Sequence, residues 1–269
     1  MNENVRHRTI AETVWHNRNS VLSLQTNDVH VWRASLETGK QQHQMYERIL
    51  SGEERERASR FHFEKDRIRF IVTRGILRSL LSDYLTIDAG KVSFVYGPYG
   101  RPELSAGLSS VPIRFNASHS HGLALFAFTL NRDIGVDIEY ILRDISIDDI
   151  AGRFFLPNEK SALDMLPSNM KKKAFFACWT RKEAFLKATG KGLSFGLGRV
   201  EVPMNPESPA SLLSIGGSKE DATLWSLHDI AAAPDYAAAI AVKGHGCNIC
   251  LQEWTCNGNP NQINARTVE

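Results

Sequence analysis

Apolar residues gather in short runs along this chain, and the spacing within each run predicts an element. Residues 29–36, 123–130, 134–140, 236–243 and 247–254 have strand length and are rich in β-branched, aromatic and small apolar residues. Asn131-Arg132-Asp133 and Gly244-His245-Gly246 separate two adjacent pairs of these runs, which predicts two hairpins. Helical spacing instead joins Ile68, Ile71, Val72, Ile76, Leu80 and Leu81, predicting a helix over about 66–85. Further helices are expected from Ser51 or Gly52 towards Phe61, around residues 10–16, and from Leu156-Pro157-Asn158-Glu159-Lys160, where Pro stands near the front. Segment 203–218, rich in Pro, Ser and Gly, reads as a surface loop, residues 1–27 as an extension without a motif, and 257–269 as a polar tail. The pattern also repeats: Thr73-Arg74-Gly75-Ile76-Leu77 echoes Thr180-Arg181-Lys182-Glu183-Ala184, and the second pair of runs sets Cys250 and Gln252 where the first has Asp137 and Glu139. Such a repeat places one composite site between two halves.

The run Gly135-Val136-Asp137-Ile138-Glu139 carries the chemistry. Side chains alternate faces along a strand, so Asp137 and Glu139 share one side while Val136 and Ile138 face a core. Like charges so close are tolerable when water or a cation screens them, and a hard divalent ion is the simplest such cation; an exposed strand edge is the plain alternative. Downstream, in Trp179-Thr180-Arg181-Lys182-Glu183-Ala184-Phe185-Leu186-Lys187, helical spacing stacks Trp179, Glu183 and Lys187 on one stripe with Lys182 beside it. Three carboxylates with neighbouring lysines suit magnesium-assisted phosphoryl or pyrophosphate chemistry. Gly135 at the strand start permits a close backbone approach.

Composition narrows the class. The 269 residues are 42% hydrophobic with a formal charge of +2, enough for two ordinary lobes around a sizeable core. No run approaches a membrane span and no signal peptide is visible, so a cytoplasmic location is expected, and nothing points to nucleic acid or a membrane. Residues 171–191 hold Lys171, Lys172, Lys173, Arg181, Lys182, Lys187 and Lys191 against the single acid Glu183, a local excess that suits phosphates or an acidic protein; Lys171 to Lys173 also read as a solvated loop. His245, Cys247, Cys250 and Cys256 resemble zinc ligands only by type, since Cys247 and Cys250 point to opposite faces of a strand. Cys178 reads as a packed helix residue.

Taken together, Gly135-Val136-Asp137-Ile138-Glu139 and Trp179-x-x-Lys182-Glu183-Ala184-x-x-Lys187 resemble the paired signature of the Sfp-type 4'-phosphopantetheinyl transferases. The resemblance extends over Ser51 to Arg57 with Arg60-Phe61, Tyr99-Gly100-Arg101-Pro102, Phe115-Asn116-Ala117-Ser118-His119-Ser120 and Gly190-Lys191-Gly192-Leu193. It implies an α+β fold of two pseudo-symmetric lobes, here 28–133 and 134–256, with the site between them in one polypeptide, so that a monomer suffices. It further implies transfer of phosphopantetheine from coenzyme A to a serine of an acidic apo carrier protein, with release of 3',5'-adenosine bisphosphate. By the same resemblance Asp137, Glu139 and Glu183 are the Mg2+ ligands, Glu183 is the candidate base, and Lys187, assisted by Lys182, neutralises the pyrophosphate. His119 and Ser118 match the ligands of the 3'-phosphate, Arg57 and Arg69 match basic phosphate contacts, and Arg101 stands for a lysine near the adenine. Glu54 and Phe70 depart from the Lys and Thr found there in some members. A metal-dependent phosphohydrolase and a non-catalytic carrier-protein or nucleotide-binding module are the rival readings; retention of the whole acidic cluster with Lys187 speaks against the module.

Overall fold

A computed structural model describes residues 14–17, 22–109 and 111–256. Its elements in chain order are β1 (His16–Asn17), β2 (Asp28–Ser35), α1 (Lys40–Ile49), α2 (Gly52–Ser59), α3 (Glu64–Leu85), β3 (Phe94–Tyr96), β4 (Pro102–Leu104), β5 (Ile113–Ser120), β6 (Leu123–Leu130) and β7 (Ile134–Tyr140). They continue with α4 (Ile147–Phe154), α5 (Pro157–Asp164), α6 (Ser168–Thr189), β8 (Val200–Glu201), β9 (Ser214–Ile215), α7 (Lys219–Ala222), β10 (Trp225–Asp229), β11 (Tyr236–Lys243) and β12 (Asn248–Glu253). The helix expected over 10–16 falls mostly outside the described residues, and the tail 257–269 wholly so; within them, His16–Asn17 is a strand.

Alternation along the strands builds four layers, α3, sheet, sheet and α6. The larger sheet has the order β1-β12-β2-β6-β5 and the smaller β10-β11-β7. In β2 and β6, Trp32, Ala34, Ala124, Phe126 and Phe128 pack under Ile71, Val72, Ile76, Leu77, Leu80 and Leu81 of α3. Their other face, Val29, Val31, Leu125 and Ala127, meets Ile134, Val136, Ile138, Ala238, Ile240 and Val242 of the smaller sheet. Small residues line that sheet's outer face: Ala239 and Ala241 pack beneath Ala184, Phe185 and Ala188 of α6. Both faces of each sheet are thus covered, which accounts for runs that are apolar almost throughout.

Neither expected hairpin forms. β6 pairs with β2 and β5 whereas β7 pairs with β11, and β11 pairs with β10 and β7 whereas β12 runs parallel to β2. At both short connections the chain leaves one sheet and enters the facing one, because strands apolar on both sides need cover above as well as neighbours beside them. The repeat therefore survives in the crossings and in two long helices, but not in the pairing: β12 lies against β2, not against β6.

The edge strands β5 and β7 run side by side in the same direction without a backbone ladder, and side chains of β5 bridge them. Asn116 Oδ1 accepts from the Val136 N–H at 3.0 Å, Ser118 Oγ donates to Asp137 Oδ1 at 2.9 Å, and Ser120 Oγ accepts from the Tyr140 N–H at 3.0 Å. The period of two puts all three on one face of β5. Gly135 lets α6 settle on this seam, since a Cβ there would lie 2.1 Å from the Ala184 carbonyl oxygen and 2.3 Å from the Ala188 nitrogen.

Gly135→Ala is expected to lower unfolding free energy by about 2–4 kcal/mol in urea titration, because only helix backbone can give way. Gly152→Ala in α4, with nothing within 4 Å of the added methyl, is expected to be neutral or stabilising by up to about 1 kcal/mol. Equal effects at the two positions would contradict the close packing of α6 on β7.

Candidate active site

Asp137 and Glu139 emerge from β7 on the face that Gly135 presents to α6, and Glu183 and Lys187 descend from α6 onto them. Asp137 is 4% exposed, and its Oδ1 receives the Lys187 ammonium at 2.6 Å as well as Ser118 Oγ. Lys187 Nζ also donates to Ser118 Oγ at 2.7 Å, closing a triangle, while Asp137 Oδ2 is buried without a hydrogen-bond partner. Glu139 Oε2 accepts from Ser120 Oγ at 2.9 Å and from Arg143 Nη1 at 3.0 Å.

The carboxyl groups feel one another. Burial, then the Asp137 charge, pushes the Glu139 pKa up. Burial together with Asp137 and Glu139 pushes Glu183 up to about 7, against the partial relief of Lys187. Among the described residues no three His, Cys, Asp or Glu side chains already stand as a ligand set, and the Lys187 ammonium holds Asp137. The orphaned Asp137 Oδ2 and the all-oxygen, anionic character of the group nonetheless fit a small hard divalent cation, with Asp137, Glu139 and Glu183 as its holders.

A second, basic feature adjoins the first. His119 follows Ser118 in β5 and so turns the other way, towards α3. The surrounding protein, then the charges of Lys187 and Arg69, lowers its pKa, although the residue itself is exposed to solvent. Arg69 Nη2 is buried without a hydrogen-bond partner and stands 3.8 Å from Glu37. Cations around a neutral imidazole make a receptor for an anion. Arg57, on α2, lies over the Phe70 ring at 5.4 Å and lines a cleft of about 670 Å³ of mixed charge, with Arg60, Phe61 and Tyr96 and with Glu53, Glu54 and Glu56.

Three expected contacts are redirected. Lys182 is fully buried, its ammonium bound to Glu159 and to the Leu197 carbonyl at 3.2 Å. One step along a helix turns a side chain by about 100°, so the neighbour of Glu183 faces the core instead of the carboxylates. Arg101 caps α6: Nη1 donates to the Lys187 and Ala188 carbonyls, both at 2.9 Å, and Nη2 to those of Phe115 and Ile134. Its fork serves the orphan carbonyls of a helix end that Gly190, at φ +67°, terminates. Ser118 is buried on Asp137 and Lys187, not open to a phosphate. The basic stretch shrinks accordingly, since Arg181, too, is buried on Asp229, and Lys171 to Lys173 ride the first turns of α6 and not a loop.

Sequence reasoning did not single out Asn116, Ser120 or Arg143 as parts of the site. Alternation with Ser118 was the available signal for the first two; for Arg143, placement after the strand end gave none.

Two family models match in tandem: "4'-phosphopantetheinyl transferase, N-terminal" over residues 31–130 and "4'-phosphopantetheinyl transferase superfamily" over residues 133–241. The 4'-phosphopantetheinyl transferase HetI of Nostoc sp. is 41% identical over 225 residues, covering 84% of this chain and 92% of that protein. The 4'-phosphopantetheinyl transferase Sfp of Bacillus subtilis is 30% identical across 64% of this chain and 75% of its own. A solved holo-[acyl-carrier-protein] synthase of Thermotoga maritima covers 42% of this chain and 64% of that chain at 20% identity, with a TM-score of 0.33, too low to bear on the argument. The chain belongs to the 4'-phosphopantetheinyl transferase superfamily. It is an enzyme of that class. Among the described residues no helix is long and apolar enough to cross a membrane.

The raised Glu183 pKa has a consequence for the cation-free protein. Its folded value of about 7 lies above the 4.5 of an ordinary glutamate, so the folded state holds the proton more tightly; that stabilisation is full below about pH 4.5 and is lost as pH rises through 7. In chelator, Glu183→Gln is expected to gain about 2 kcal/mol over the parent between pH 5 and pH 8, read by chemical denaturation at both. A pH-independent difference would remove Glu183 from the carboxyl cluster.

Proposed function

We propose that the protein transfers 4'-phosphopantetheine from coenzyme A to a serine of an apo carrier protein in the presence of Mg2+ and releases 3',5'-adenosine bisphosphate. The observation that supports this most is the convergence of Asp137, Glu139 and Glu183 with Lys187 at the seam of the two sheets, beside the cationic surround of His119. A magnesium ion on the three carboxylates would neutralise charge gathering on the pyrophosphate oxygens. Lys187 lies on the open side of the cluster, where its ammonium can share those oxygens, and Arg69 with His119 would take the 3'-phosphate.

The carrier serine oxygen bonds to the β-phosphorus as the bond to the adenosine bisphosphate leaving group breaks. The serine proton passes to Glu183 through one water, because a carboxylate on the metal has a lowered pKa and is a poor base by direct contact. The Lys187 carbonyl, held by Arg101, fixes the helix end from which that ammonium reaches in. The partner is an acidic helical carrier domain approaching the Lys171, Lys172 and Lys173 turn, and the enzyme works as a cytoplasmic monomer with both lobes in one chain.

Incubation with Mg2+, coenzyme A and apo carrier proteins, read by intact mass, tests the proposal. A carrier gaining one phosphopantetheine supports it; coenzyme A hydrolysed with the carrier unchanged identifies a phosphohydrolase, and neither product identifies a binding module. Asp137→Ala and Glu183→Gln are expected to lower transfer at least about 100-fold with the fold retained. Substantial activity in either would remove that residue from the site.

Neutralising Lys171, Lys172 and Lys173 together is expected to raise the apparent KM for the carrier and flatten its salt dependence, with the KM for coenzyme A unchanged. An unaltered carrier KM and salt dependence would place docking on another face.

A further inference from the structure

We infer that Lys187 is a resident counter-cation of Asp137 that competes with the divalent ion, and that phosphate oxygens of the bound coenzyme draw it away. The inference rests on the transferase reading of the site and adds to it an order of events. The ammonium takes Asp137 Oδ1 at 2.6 Å and is braced by Ser118 Oγ at 2.7 Å. A divalent ion taken by this carboxylate, at Oδ1 or at the unpartnered Oδ2, lies within about 5 Å of that ammonium, and the two cations repel in a partly dehydrated site.

The geometry says which partner moves. Asp137 is buried on rigid β7, with its side chain 5% exposed, whereas the Lys187 side chain is 30% exposed and has a path outward. The backbone at Lys187 is pinned, since Arg101 holds its carbonyl and that of Ala188. Release is therefore a swing of the four-carbon stem about a fixed Cα and needs no movement of α6. Glu183, one turn earlier on the helix, and Glu139 on β7 face the same ammonium, and its charge reaches His119 on the other side. Lys187 thus stands between the acidic cluster and the anion-receiving surround, able to serve either.

Two consequences follow from linkage. Without coenzyme the divalent ion meets on the same carboxylate an ammonium whose charge repels it even from the unpartnered Oδ2, and it binds weakly. With coenzyme, the lysine has phosphate oxygens to serve, Asp137 Oδ1 is freed, and cation and coenzyme strengthen each other reciprocally. Direct contact between cation and pyrophosphate also couples the two, so the distinguishing quantity is the affinity for the cation alone.

Mn2+ binding, followed by the loss of the free-ion electron paramagnetic resonance signal, tests this in the parent, Lys187→Met and Lys187→Gln, each with and without coenzyme A. Both variants are expected to bind Mn2+ alone at least about tenfold more tightly than the parent, and the strengthening by coenzyme A is expected to shrink. Unchanged or weaker Mn2+ binding in folded variants, while coenzyme A still strengthens it in the parent, would overturn the inference and leave the transferase reading intact. No Mn2+ binding to the parent with coenzyme A would overturn both. Should the variants not fold, lysine ammonium NMR of the parent decides: the Lys187 signal, identified by its loss in Lys187→Arg, is expected to shift on adding Mg2+, and an unmoved signal overturns the inference.

Discussion

Three side chains of β5 hold the two sheets together where no backbone ladder does. Asn116, Ser118 and Ser120 reach β7 at the Val136 amide, the Asp137 carboxylate and the Tyr140 amide. The seam thereby satisfies buried backbone groups and fixes both acids of β7, because Ser120 also grips Glu139. A backbone ladder would have occupied the same edge without orienting a carboxylate. Everything functional is arranged along this line: α6 rests on it through Gly135, Lys187 closes on Ser118, and His119 turns from it towards Arg69.

Packing and chemistry make opposite demands here. Burial disfavours ionised Glu139 and Glu183, and each acid worsens the position of the next. The protein tolerates this because Lys187 and Arg143 sit on two of the three carboxylates, while Glu183 has only the more distant relief of Lys187. Such a site is unstable in the sense that it gains from any cation offered to it, a common feature of sites that bind one.

How much of this was legible in the sequence depended on whether a period or a partner had to be known. Period two placed Asp137 and Glu139 together and Val136 and Ile138 in the core, and period 3.6 placed Glu183 above Lys187. Partners were invisible. Nothing in Trp179 to Lys187 reveals that Glu159 waits for Lys182, or that the carbonyls ending α6 wait for Arg101. The hairpins failed for a related reason: a strand, a short turn and a strand describe a return within one sheet and a crossing to a facing sheet equally well, and only the apolar residues on both faces of β6 and β11 hinted at the second. Lys171 to Lys173 read as a loop because three lysines carry no apolar stripe, yet they open the helix whose later turns carry it.

The central claim is that carboxylates from β7 and α6 form one cation site at the seam. Anomalous diffraction from a crystal holding Mn2+ and coenzyme A tests it most directly. The account predicts a single peak within about 2.1–2.3 Å of oxygens from Asp137, Glu139 and Glu183, beside the pyrophosphate. A peak lacking either the β7 acids or Glu183, with the coenzyme bound elsewhere, would contradict it.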